Sequence, residues 1–152
     1  MKRLILLLLL LVNVSVFAQK GYTITLSVSK LYANGDSVKF TKGKRFNVTT
    51  TDKTDTLEIG KCGMEIIGMQ IQVRKIKAGD QIRTEIGYAF YKRNGNKWEL
   101  IYNFGFTDRY GLLKYPANGK LPPPKEEYHC EYGVPMQFGA DFKMDVYENS
   151  KI

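Results

Sequence analysis

The chain has 152 residues, a formal net charge of +8 and 43% hydrophobic residues, but only two cysteines and one histidine. A single histidine weighs against the usual zinc and serine-hydrolase sites. No glycine-rich phosphate loop occurs, because Gly60, Gly63 and Gly68 are irregularly spaced. No pair of carboxylates stands out for glycoside hydrolysis. We therefore expect no catalytic residue, no metal and no cofactor, and a binding protein rather than an enzyme.

The first residues predict a secretory signal peptide, residues 1–18. Lys2 and Arg3 precede an apolar run, and the small residue Ala18 ends a cleavable site. The run is short for a membrane anchor and is interrupted by polar residues. We expect cleavage near Ala18, export to the periplasm or the exterior, and one mature domain over residues 19–152 without a transmembrane span. Export also argues against a nucleic-acid partner.

The first mature segment alternates apolar and polar residues, which predicts a half-buried strand. Its apolar members are Tyr22, Ile24, Leu26 and Val28. A three-residue loop at 33–35 and a second loop at 42–44 follow, and the second loop sets Phe40 against Phe46. The N-terminal third therefore predicts a meander of three strands.

Residues 64–106 carry the strongest pattern, three consecutive segments with a period of two. The first segment has its apolar residues at odd positions, and the other two have them at even positions. Opposed residues in an antiparallel pair share a face, so the loop lengths place Ile71 opposite Ile86 and Tyr88 opposite Tyr102. One face then becomes continuous and apolar. Its large members include Tyr88, Phe90, Trp98, Leu100, Tyr102 and Phe104.

A long stretch without strand pattern follows at residues 107–125. Irregular segments of this length tend to be functional or disordered. Tyrosine and arginine are residue types that carry binding energy at interfaces. We predict that the partner-binding residues lie within or beside this stretch: Arg109, Tyr110, Tyr115, Tyr128 and Tyr132. The alternative is that Leu112 and Leu113 pin the stretch over an open end of the core.

The C-terminal segment has apolar residues at even positions from Val134 to Val146. This pattern predicts one long strand with a kink at Gly139, and the alternative is a hairpin around residues 139–141. Pro135 cannot donate a ladder hydrogen bond, so this end lies at a sheet edge or precedes the strand.

The two cysteines, Cys62 and Cys130, both lie in the part of the chain that we expect to be exported. Export makes a disulfide between them the leading interpretation, and two buried thiols are the alternative. Cys130 is poorly suited to be a nucleophile. Its neighbour His129 would point to the opposite face of a strand and so could not easily act as its base.

Short strand patterns separated by glycine and proline, with no amphipathic helix, predict an all-β domain. We expect an antiparallel two-sheet β-sandwich of about 7–9 strands, with a closed antiparallel β-barrel as the alternative. The leading hypothesis for the function is a non-catalytic exported module that binds an extracytoplasmic glycan or protein. The alternatives are a barrel carrier of a small apolar ligand and a small secreted hydrolase.

Overall fold

The computed structural model describes residues 21–109 and 112–149, with the backbone alone at 104 and 106–109. The described chain forms nine strands, and the all-β class is confirmed. Their bounds are β1 (Tyr22–Ala33), β2 (Asp36–Thr50), β3 (Leu57–Cys62), β4 (Glu65–Ala78), β5 (Gln81–Asn94), β6 (Lys97–Arg109), β7 (Leu113–Lys114), β8 (Glu127–Tyr132) and β9 (Phe138–Glu148).

The strands form two sheets. The first sheet has the order β2, β1, β9, and the far edge of β9 pairs with β8 along one part and with the short parallel strand β7 at its end. The second sheet has the order β3, β4, β5, β6. The sheets do not close on each other, so the two-sheet β-sandwich is confirmed and the alternative of a closed barrel is wrong.

The core lies between the sheets and is built from alternate residues of their strands. Its largest fully buried side chains include Ile24 and Leu26 of β1, Met69 and Ile71 of β4, Phe90 of β5, and Phe138 and Met144 of β9. Phe90 contacts Phe138 and Phe142 of β9, with ring centroids 4.9 Å and 6.0 Å apart. These aromatic contacts, which contribute beyond their buried area, join the two sheets.

The hairpin of β4 and β5 differs from the prediction by a shift of two residues. A two-residue turn, Gly79–Asp80, joins the strands, so Ile71 lies opposite Tyr88 and not opposite Ile86. Gly79 has a φ of +63°, the conformation that the first position of a type II′ turn requires. A shift of two residues leaves every side chain on its predicted face.

The hairpin of β5 and β6 differs more, because its parity is reversed near the turn. The turn has two residues, Gly95–Asn96, instead of three, and register shifts interrupt the middle of the hairpin. Leu100 is 47% exposed while Ile101 is 3% exposed. Trp98 lies opposite Arg93, whose guanidinium is 4.5 Å from the indole ring. The prediction that Trp98 and Leu100 face the core is therefore wrong.

Strands β1 and β2 form one long hairpin rather than parts of a three-stranded meander. Asn34 and Gly35 make its two-residue turn with φ values of 49° and 90°, as a type I′ turn requires, and Ala33 belongs to β1. The predicted loop at 42–44 does not reverse the chain. Instead β2 continues to Thr50 through a bulge, so Phe40 and Phe46 lie in the same strand.

The C-terminal segment is a single strand, β9, as predicted, and Pro135 precedes it. Its outer face is partly covered by residues 115–126, which we call the strap. The carboxylate of Asp145 accepts hydrogen bonds from the backbone N–H groups of Lys125 (3.0 Å) and Glu126 (3.3 Å). The amide of Met144 donates to the Glu126 carbonyl. The predicted irregular stretch is thus anchored to β9.

The predicted disulfide is not formed, because Cys62 and Cys130 are free, buried cysteines. Cys62 Sγ lies 3.6 Å from the carbonyl oxygen of Leu31 on β1, and Cys130 Sγ lies 3.7 Å from that of Ala140 on β9. Leu31 pairs with Ala140, which pairs with Cys130. Two strand spacings of about 4.8 Å therefore separate Leu31 from Cys130. Cys62 lies at the Leu31 end of this row, whereas a disulfide with Cys130 needs the two Cα atoms within about 7 Å.

Candidate functional site

The outer face of the first sheet carries an open groove with a volume of about 500 Å³, close to the β1–β2 turn. Three neighbouring strands supply its walls and floor through two adjacent rows of the sheet. The first row is Tyr32 of β1, Gly139 of β9 and Glu131 of β8, and the second is Lys30, Asp141 and His129 of the same strands. All six residues line the groove. Because they project from paired strands, their backbone positions are well fixed.

A bulge in β1 turns two of these side chains outward. Even-numbered residues of β1 face the core up to Val28, after which the register with β9 shifts at Ser29. Leu31 is consequently buried, while Lys30 and Tyr32 point away from the core into the groove. Bulges are over-represented at functional sites because they re-aim side chains in this way.

The floor of the groove exists because position 139 is glycine. A Cβ atom at Gly139 would lie 3.2 Å from the carbonyl oxygen of Cys130, 3.6 Å from Glu131 Cγ and 3.7 Å from Tyr32 Cβ. Any side chain there would fill the space between the tyrosine and the glutamate. The glycine thus keeps this space open between two walls, as is common where a ligand approaches closely.

Hydrogen bonds from β1 hold the wall opposite Glu131. The Tyr32 hydroxyl donates to Gln137 Oε1 at 3.3 Å, and the amide of Asn34 donates to the Gln137 carbonyl at 2.9 Å. The loop between β8 and β9 is therefore tied to the β1–β2 turn. Tyr32 presents its ring and Gln137 its amide at the same edge of the groove.

His129 lies between two carboxylates. Its Nδ1 is hydrogen-bonded to Asp141 Oδ1, and its Nε2 lies 3.2 Å from Glu131 Oε1. The hydrogen bond to Asp141, helped by Glu131, raises the pKa of His129 above its usual value. Both ring nitrogens then act as donors, which suits the imidazolium form.

This arrangement does not form a serine-hydrolase relay. Ser29 Oγ donates to the backbone carbonyl of Asp141 at 3.0 Å, while the imidazole nitrogen that would face a nucleophile faces Glu131. Cys130 is buried in the core whereas His129 is exposed on the outer face, so the two do not meet.

Of the five predicted binding residues, the structure describes the side chains of Tyr115, Tyr128 and Tyr132, and these three do not form one surface patch. The backbone of Arg109 pairs with Thr84 in the second sheet, but its side chain and all of Tyr110 lie outside the described residues. Tyr115 is half-buried in the strap, where it lines a separate cavity with Thr23 and Asn47.

Tyr128 and Tyr132 of β8 turn toward the core instead of forming an exposed patch. Tyr128 stacks on Phe142 with ring centroids 5.1 Å apart, and Tyr132 stacks on Tyr102 at 3.7 Å. Of the three predicted residues whose side chains are described, only Tyr132 lines the groove. The outward residues that do form it were missed, although the change of apolar parity from Val28 to Leu31 is a sequence signal for the bulge that exposes Tyr32.

Two further classes of site receive no support from the described ranges, 21–109 and 112–149. They hold no group of three or more His, Cys, Asp or Glu side chains arranged to bind a metal ion. In the same part of the chain no helix has the length and apolar character of a membrane span.

Comparisons with protein-family models, with curated proteins and with solved structures find no match to this chain. The functional assignment therefore depends on the groove and on the sequence.

Proposed function

We propose that the protein is an exported, non-catalytic β-sandwich module that binds a glycan in the groove of its first sheet. The observation that carries this proposal is the combination of an aromatic wall with hydrogen-bonding groups around an open, glycine-floored groove. The flat ring of Tyr32 can pack against the apolar face of a sugar, while Gln137 and the two carboxylates can bind hydroxyl groups.

Within the groove, the contact of both carboxylates with one imidazole supports a binding role over hydrolysis. Glycoside hydrolases use two carboxylates on opposite sides of the scissile bond, one as an acid and the other as a nucleophile or base. Here Asp141 and Glu131 both contact the same imidazole. They are suited to accepting hydrogen bonds from a ligand rather than to opposed roles in bond cleavage.

Export is supported by the first residues of the sequence, where Lys2 and Arg3 precede the apolar run that ends near Ala18. Expression of the full chain in an exporting bacterial host tests it. We expect the protein in the periplasm or medium, with Gln19 as its N-terminal residue. Retention of an intact N-terminus in the cytoplasm would contradict export.

The glycan proposal is tested by measuring retardation in native gels that contain a panel of polysaccharides. We expect Tyr32→Ala to weaken binding by about tenfold or more, because an aromatic anchor is lost. The matched control is Tyr91→Ala. Tyr91 also points outward from a sheet and also donates to a glutamine, Gln70 Oε1 at 2.6 Å, but it lies on the second sheet.

Two results would count against the proposal. One is that the parent protein binds no polysaccharide in the panel, and the other is that Tyr32→Ala and Tyr91→Ala weaken binding equally. Release of new reducing ends by the parent, lost in Glu131→Gln, would instead indicate a hydrolase.

A protein partner is the second candidate, because two large apolar side chains are exposed near the groove. Met64 is 91% exposed and Val134 is 86% exposed. Met64 flanks the β1–β2 turn because its neighbour Gly63 lies against Asp36. Val134 lies three residues before Gln137, whose carbonyl accepts a hydrogen bond from the amide of Asn34 in the same turn. If this candidate is right, an envelope protein that co-purifies with the parent is lost in Met64→Ser combined with Val134→Ser but retained in Tyr32→Ala.

A further inference from the structure

Two lysines face each other beside the groove, and neither forms an ion pair with a carboxylate of the described chain. Lys30 of β1 and Lys39 of β2 are directly opposed in the register, so their side chains share the outer face of the sheet. Among the described residues, no carboxylate lies within ion-pair distance of either ammonium group. Asp141 lies on the other side of Lys30, but its carboxylate is bonded to His129.

Edge protection does not account for this pair. Lysines are common on edge strands because they discourage pairing with another chain, and β2 is an edge strand. That reason covers Lys39. It does not cover Lys30, because β1 is paired with β2 on one side and with β9 on the other. Lys30 also has Asp141 opposite it on β9, but like charges directly opposite each other destabilise a sheet, so the Lys30–Lys39 contact does not itself stabilise the fold.

The positive charge continues along β2 away from the groove. Arg45 lies opposite Ser27, which places it on the same outer face, and it is exposed. It too has no carboxylate within ion-pair distance in the described chain. We call Lys30, Lys39 and Arg45 the basic strip. At the other side of the groove, a single imidazole, that of His129, lies between the two carboxylates of Asp141 and Glu131, so the anionic groups of a ligand are favoured at the basic strip rather than at that side.

We propose that the glycan bound in the groove is acidic, with its carboxylate or sulfate groups at Lys30 and Lys39 and its chain running along β2 past Arg45. This inference rests on the proposed function and adds to it the charge class and direction of the ligand. The groove takes a sugar ring against Tyr32. The anionic groups of the glycan then supply the counter-charge for the basic strip.

The experiment compares acidic and matched neutral polysaccharides by isothermal titration calorimetry. Polygalacturonate is paired with its methyl ester, and heparin with desulfated heparin, so the two pairs separate carboxylate from sulfate recognition. We expect at least tenfold tighter binding of one acidic member over its neutral partner. We also expect this preference to decline as NaCl is raised from 50 to 300 mM, because added salt screens exposed charges.

The variants locate the preference on the molecule. Lys30→Gln combined with Lys39→Gln should reduce binding of the acidic polymer about tenfold and reduce its salt dependence. Lys120→Gln, an exposed lysine of the strap, is the control for net charge and should have little effect. Unfolding curves of each variant establish that it is folded.

Each alternative outcome has a distinct meaning. Equal binding of acidic and neutral polymers overturns the inference but leaves the proposed function intact, whereas binding of neither overturns both. An acidic preference that persists in the lysine double variant would place the anionic groups elsewhere. Equal binding of polyglutamate, which has charge but no sugar, would show that charge alone is recognised and would also overturn the inference.

Discussion

If Lys30 and Lys39 bind an anionic ligand, their mutual repulsion should lower the stability of the protein when no ligand is bound. Lys39→Gln should therefore stabilise the unliganded protein. The opposed residues lie in neighbouring strands, so the two charges are roughly 6 Å apart when both side chains extend from the sheet. At that distance two unit charges in water repel by about 0.7 kcal/mol. Physiological salt, with a Debye length of about 8 Å, reduces this repulsion to roughly half.

The assay is urea unfolding of the parent and of Lys39→Gln at 10 mM and 500 mM NaCl. We expect a gain of about 0.3–0.7 kcal/mol in the free energy of unfolding at low salt, equivalent to about 1–2 °C in the melting temperature. The gain should nearly vanish at high salt. Lys120→Gln removes the same charge away from the pair and corrects for the overall positive charge of the protein. A loss of stability in Lys39→Gln at both salt concentrations would refute the reasoning, because Lys39 would then have a structural role.

Three further predictions follow from burial and charge. Burial raises the pKa of the Cys130 thiol to about 12 and also raises that of Cys62, so both thiols should react with iodoacetamide only in denaturant. If the mass of the protein before reduction is lower by two hydrogen atoms, the two cysteines form a disulfide after all. The imidazole NMR signal of His129, the only histidine, should titrate above the usual pKa of about 6.5, and Asp141→Asn should lower that pKa. Because the pKa is raised in the folded protein, the stabilisation by His129 is present below pH of about 6.5 and is lost as the pH rises through the folded pKa. Unfolding of the parent and of His129→Asn at pH 5.5 and pH 9 measures this loss. Tyr132→Ala removes a stacked, half-buried ring and should lower the free energy of unfolding by about 2–3 kcal/mol in urea titrations, whereas an unchanged value would mean that the ring contributes no packing.

The faces of β1, β4 and β9 could be predicted from the sequence because a period of two has only one interpretation in a half-buried strand. Ile24, Met69 and Phe142 are all buried as their parity requires. The parity of the apolar residues does not predict the faces of β6, where Leu100 is exposed and Ile101 is buried. A turn of two residues in place of three, followed by register shifts, reverses parity, and residue types alone do not specify which turn forms.

The groove could not be predicted because its members meet only through register. Tyr32, Gly139 and Glu131 are far apart in sequence but form one row across three strands. The predicted site was instead chosen from residue types that often occur at interfaces. In β8 the alternation of Tyr128 and Tyr132 with charged neighbours already indicates that both tyrosines face inward, and this pattern is the stronger signal.

Three local features that weaken a β-sheet coincide in the groove and the adjoining strip. The bulge at Ser29 interrupts the ladder, Gly139 places a flexible residue inside a paired strand, and Lys30 opposes Lys39. Each of these features is common by itself. They lie here in adjacent rows of one face, where a regular strand and an ordinary polar surface would be more stable. Local conflicts of this kind are retained where function requires them, and their shared location supports a ligand site on this face more strongly than any one of them does.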